Sequence, residues 1–164
     1  FRSNHDLLGE IEYFESFSLK LPKNYDQIDS KRFNKIKFGL ENDENKFFNI
    51  NLIKGFSKEG NSAILISRIY ESNFLLKLDD AYIDYLSLKP ETINIEKTSF
   101  KLNGINTVQY QINGKSLTNI KLFLFINGKI FCLDYNVKNS IFDNMVSELE
   151  SCLSTLKLNT ETIK

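Results

Sequence analysis

The sequence predicts an α+β fold, an antiparallel β-sheet with helices on both faces, and three observations carry that expectation. Asn-Gly pairs at 103–104, 113–114 and 127–128 each separate two runs of strand character, the strongest short-range signal for a hairpin. A stripe of apolar residues from Phe142 to Leu156 recurs at helical spacing. Between the hairpins and the first strands, LDDAYIDYLSLKP changes period and marks a second, shorter helix.

The elements follow in order. Residues 1–14 mix charge with a few apolar positions (Leu7, Leu8, Ile11) without a sustained period, so they read as an N-terminal tail, followed by a single domain over 15–158 and a C-terminal tail over 159–164. In FSLKLP, Phe17, Leu19 and Leu21 alternate with Ser18 and Lys20, a half-buried strand that Pro22 stops. IKFGLE (36–41), FFNINLIK (47–54) and AILISRIYE (63–71), separated by turn-rich segments, read as three further strands in a meander. Leu78, Tyr82, Tyr85, Leu86 and Leu88 then recur every three to four residues, Asp79 can cap the start, and Pro90 forbids continuation. Strands over 92–102, 105–112, 117–126 and 129–137 come next. A helix of roughly 16 residues from Asn139 closes the chain, and its seven buried side chains contribute roughly 10–20 kcal/mol before entropy.

The Asn127-Gly128 turn allows the faces of one hairpin to be counted. A two-residue loop pairs Ile126 with Lys129. One face then carries Ile120, Leu122, Leu124 and Ile126 beside Phe131, Leu133, Tyr135 and Val137, a floor for the terminal helix. The other sets Phe125 opposite Ile130, Phe123 opposite Cys132, Lys121 opposite Asp134, and Asn119 near Asn136. This second face is apolar near the turn and polar at its far end. Phe123, Phe125, Ile130 and Cys132 are therefore the candidate partner surface, unless the short helix covers them as core. Cys132 and Cys152 fall on opposite sides of the sheet, so no disulfide joins them. For the preceding hairpin, an odd loop of Asn113-Gly114-Lys115 is expected, which puts Val108 and Tyr110 on the apolar face.

Composition sets outer limits. The chain has 164 residues, 41% of them hydrophobic and 13% aromatic, which suits one globular domain with a proper core. Lys+Arg and Asp+Glu both number 21, so the electrostatic footprint of a nucleic-acid binder is missing. The lone histidine, His5, lies in the expected tail, which argues against triad chemistry. No Gly-rich phosphate loop, H-E-x-x-H or EF-hand pattern occurs, and no cofactor or metal is expected. Asp79-Asp80 suits a helix cap better than a catalytic pair, Asp43 and Glu44 suit a turn, and Cys132 suits a small buried hydrophobe. No catalytic residue is assigned. The longest apolar run is far shorter than the roughly 20 residues of a spanning helix, so a membrane link is expected only through an N-terminal signal or anchor removed ahead of Phe1.

The order of elements carries a resemblance. FSLKLPKNY (17–25), several strands, a short helix, KLNG (101–104), two long hairpin strands, the aromatic-rich KIFCLDYNV and a terminal amphipathic helix resemble the PsbP-like domain family over about residues 15–156. Its members include the extrinsic PsbP subunit of photosystem II, a Ran-binding protein and small bacterial envelope lipoproteins. The resemblance implies an α/β/α sandwich and a non-enzymatic binding or accessory role in the cell envelope, outside the cytoplasm, with another protein as partner. It supplies no catalytic or ion-binding residues that match positions here. Two other functions suit the same pattern: an inhibitor or immunity-type protein that blocks an enzyme, and a hydrolase built on two carboxylates brought together by the fold.

Overall fold

A computed structural model of the protein describes residues 3–58, 62–71 and 80–159. Ten strands, three α-helices and two short 3-10 turns make up the described chain. The strands are β1 (Leu8–Tyr13), β2 (Phe17–Pro22), β3 (Asp26–Gln27), β4 (Asn49–Lys58), β5 (Ser62–Tyr70), β6 (Thr92–Leu102), β7 (Ile105–Gly114), β8 (Leu117–Ile126), β9 (Lys129–Lys138) and β10 (Lys157–Leu158). The helices are α1 (Ser30–Glu41), α2 (Asp80–Ser87) and α3 (Phe142–Ser154).

Seven strands form one antiparallel sheet in the order β3-β4-β5-β9-β8-β7-β6, and β1-β2-β10 form a second sheet of three. After β5 the chain crosses by α2 to the far edge, and then returns strand by strand until β9 pairs with β5. One face of the large sheet packs against α3 and the small sheet. Ile120, Leu122, Leu124, Phe131, Leu133 and Tyr135 meet Met145, Leu149, Cys152 and Leu153 there, all buried. The opposite face packs against α2, whose Tyr82 and Leu86 join Phe48, Tyr110, Phe123 and Cys132 in a second cluster. Helices thus lie on both faces, as the sequence predicts.

The register expected for the last hairpin is the one observed, from Ile126 opposite Lys129 to Asn119 opposite Asn136. Its turn residues Asn127 and Gly128 have φ of 49° and 76°, both left-handed, and Asn103-Gly104 at 52° and 84° does the same for β6 and β7. Asn103 also donates its side-chain amide to the carbonyl of Leu156 at 2.7 Å, tying that turn to the segment leaving α3. Both cysteines are buried free thiols.

Three expectations are corrected. Residues 36–41 are not a strand. They are the second half of α1, which Asp29 starts by accepting a hydrogen bond from the Arg32 N–H at 3.0 Å. The alternation of Ile36, Phe38 and Leu40 imitates a strand, but Phe38 is 70% exposed, and the half-buried side is Phe33, Ile36, Lys37 and Leu40, a helical spacing. The N-terminal tail over 1–14 is also too long. Leu8–Tyr13 pairs antiparallel with β2, and a bulge between Leu8 and Ile11 breaks the period that would have revealed it. Finally, the loop after β7 is even. Asn113 pairs with Thr118 and Tyr110 with Lys121, so Val108 and Tyr110 face α2 and not α3. Neighbours decide that loop: Glu91 O accepts from the Lys115 N–H at 3.0 Å, and Gly114 O accepts from the Asn139 side chain at 2.8 Å.

Candidate functional site

The sequence predicts a partner surface of Phe123, Phe125, Ile130 and Cys132, and the structure separates them. Phe123 and Cys132 are 1% and 4% exposed. The rings of Tyr82 and Phe48 each lie 5.8 Å from that of Phe123, edge to face, so α2 and the start of β4 have taken this end of the face as core. Burial pushes the Cys132 thiol well above its ordinary range, with the Asp134 carboxylate adding to the shift, so it carries no reactive thiolate. Phe125 and Ile130 are half-buried against the same cluster. The expected patch is therefore mostly scaffold.

The polar end of the same face is built differently. Across the sheet, Leu65, Asp134, Lys121, Tyr110 and Lys97 are successive cross-strand partners, and the next row toward the sheet end runs Ala63, Asn136, Asn119, Ile112 and Ile95. Side chains at facing positions lie within about 5.5 Å, so these rows form networks. Lys121 Nζ donates to Asp134 Oδ2 at 2.7 Å, and the Asn119 amide donates to Asp134 Oδ1 and, at 3.0 Å, to Asn136 Oδ1. Burial alone would lower the Lys121 pKa, but the adjoining Asp134 carboxylate more than offsets it and holds the ammonium above the usual lysine range. The pair is about four-fifths buried, at 18% and 20% side-chain exposure.

Above this floor the cover opens into a groove. A cavity of about 520 Å³ is floored by Asn119, Lys121, Asp134 and Asn136 and walled by Leu40 of α1 and by Leu86, Lys89 and Pro90. A cavity of about 170 Å³ shares Leu40, Leu86, Lys89 and the Lys121–Asp134 pair at one end, and one of about 160 Å³ shares Leu117 and Asn136 at the other. The three adjoin along β8 and β9. From Lys121 to Leu117 the floor spans four residue steps, roughly 13 Å at about 3.3 Å each. Concave apolar walls over a few convergent polar groups are the usual form of a binding site.

The other singled-out residues take structural places. Asp43 Oδ1 accepts from the Asn45 N–H at 2.9 Å, which makes it a turn residue. His5 lies in a 3-10 turn, Asp79 lies outside the described residues, and α2 begins at Asp80. Among the described residues, no group of three or more His, Cys, Asp or Glu side chains is placed to hold a metal ion, and no helix is long and apolar enough to cross a membrane. The hairpin register puts Lys121, Asp134, Asn119 and Asn136 on one face, but the local sequence does not show the groove above them. Its walls depend on α1, which the local pattern disguised.

Comparison with known proteins locates the fold. No protein-family model matches the chain, and no curated protein matches it in sequence. Among solved structures, the cyanobacterial PsbP (CyanoP) of Synechocystis sp. PCC 6803 is similar at a TM-score of 0.54 and 13% identity, over 92% of each chain. LpqN, involved in cell envelope biogenesis of Mycobacterium tuberculosis, aligns at a TM-score of 0.49 and 11% identity, over 87% of this chain and 83% of its own. The likeness to CyanoP is one of fold, and the chain has the PsbP-like α+β fold.

Proposed function

We propose that this protein is a non-catalytic binding module of the cell envelope, which holds a segment of a partner protein in the groove between α1 and α2. The observation that carries the reading is the floor of that groove. Asn119, Lys121, Asp134 and Asn136 are bound to one another, so they form a rigid polar base with amide groups at its surface and no nucleophile poised beside a base. The PsbP-like fold supports an accessory role, since the resemblance drawn from the sequence is to a family of non-enzymatic accessory and envelope proteins. Leu117, 45% exposed where two of the cavities meet, offers an apolar contact at the groove mouth.

A photo-crosslinking amino acid placed at position 117, in the cells the protein comes from, tests this. Position 70 is the control, because Tyr70 is 50% exposed and points to the opposite face of the sheet. One protein should crosslink from 117 and not from 70. Equal crosslinking from both, or crosslinking from 70 alone, would place the contact elsewhere.

A further inference from the structure

We propose that the occupant of the groove is an acidic, leucine-type extended peptide segment of about four residues, recognised by charge at its rim and by amides at its floor. This rests on the groove being the binding site. Arg32 on α1, Lys89 after α2 and Lys138 at the end of β9 are exposed, and all three line the adjoining cavities. No carboxylate among the described residues pairs with any of them. The acids along the groove are less available: Asp134 is held by Lys121, and Asp43 by its own turn, which leaves Glu91. A chain of zero formal net charge thus presents a locally cationic groove.

Length and chemistry select a peptide. The floor of roughly 13 Å matches four extended residues, and side chains of an extended strand alternate, one to the floor and one to the rim. Asn119 and Asn136 lie along this floor, where side-chain amides suit backbone N–H and C=O groups. Leu117 and the half-buried Leu40 supply apolar contact for the alternate side chains. A carboxylate on the outward side chains would meet Arg32, Lys89 or Lys138, with Arg32 able to bind it in two-point geometry.

The test is fluorescence polarisation with three labelled hexapeptides of alternating residues: glutamate with leucine, glutamine with leucine, and lysine with leucine. The Glu-Leu peptide should bind at least tenfold tighter than the other two. The R32E/K138E double variant and the L117D variant should each weaken it at least tenfold, and raising salt from 50 to 500 mM should weaken it several-fold. The K35E variant, exposed on α1 and outside the groove lining, should leave it unchanged. If the Gln-Leu or Lys-Leu peptide binds as tightly and only L117D weakens it, the charge assignment is wrong while the groove reading stands. If no peptide responds to any groove variant, both fall. Displacement of the Glu-Leu peptide by equimolar decanoate would mark a site for amphiphiles and overturn the peptide assignment, and dimerisation abolished by L117D would assign the groove to a second copy.

Discussion

At the scale of single residues, Lys121 and Asp134 decide the character of the groove. Both are mostly buried, and each satisfies the other, with Asn119 completing the carboxylate. Removing one partner leaves the other charge stranded in a poor solvent, which costs more than removing both. Lys121→Met should therefore destabilise the protein by about 2–4 kcal/mol in urea unfolding, below the full range for a deeply buried pair because water reaches the edge of this one. K121M/D134N, which keeps an acceptor for Asn119 but no charge, should recover most of that loss. A single variant as stable as the double would mean the pair is not coupled. This pair was legible before any coordinates: a two-residue Asn-Gly loop leaves one register, and counting back from it sets Lys121 against Asp134. What the register could not tell was which end of the face remained open, since that depends on Tyr82 and Phe48, distant in sequence from the hairpin.

At the scale of elements, the strands and α3 were legible because each carries a period that agrees with its packing. Two exceptions have local causes and a third has a distant one. In α1, Ile36, Phe38 and Leu40 imitate a strand, and in β1 a bulge removes the alternation. The loop between β7 and β8 is set by Glu91 and Asn139, which no short-range rule weighs. Glycines test these assignments. A Cβ at Gly114 would lie 2.8 Å from the carbonyl oxygen of Leu117 and 3.3 Å from that of Glu91, both backbone atoms. Gly114→Ala should cost about 1–3 kcal/mol by chemical denaturation and disturb the mouth of the groove. Gly39, on the exposed side of α1, has nothing within 4 Å of such a Cβ, so Gly39→Ala should instead stabilise by about 0.5–1 kcal/mol.

At the scale of the whole molecule, the two faces of the large sheet do different work. One is closed over its length by α3 and the three-stranded sheet, which makes a continuous core from Leu8 to Leu156. The other is closed at the turn end of the last hairpin by α2 and the aromatic cluster, and open at the far end over amides and an ion pair. α1 packs on β4 and α2 on β6, and among the described residues the groove lies between them. The same division explains why Phe123 and Cys132 proved to be core: the apolar half of the face must be covered for the domain to fold, while the polar half can face water at little cost. The proposed recognition uses the half that folding does not consume. The most direct test is chemical-shift mapping of the labelled protein during titration with the Glu-Leu hexapeptide. Perturbations should concentrate at Leu117, Asn119, Asn136 and Lys138 and at Lys89, with β1 and β2 unmoved. Perturbations centred on the α3 face or on β1 and β2, with the groove silent, would contradict the groove reading.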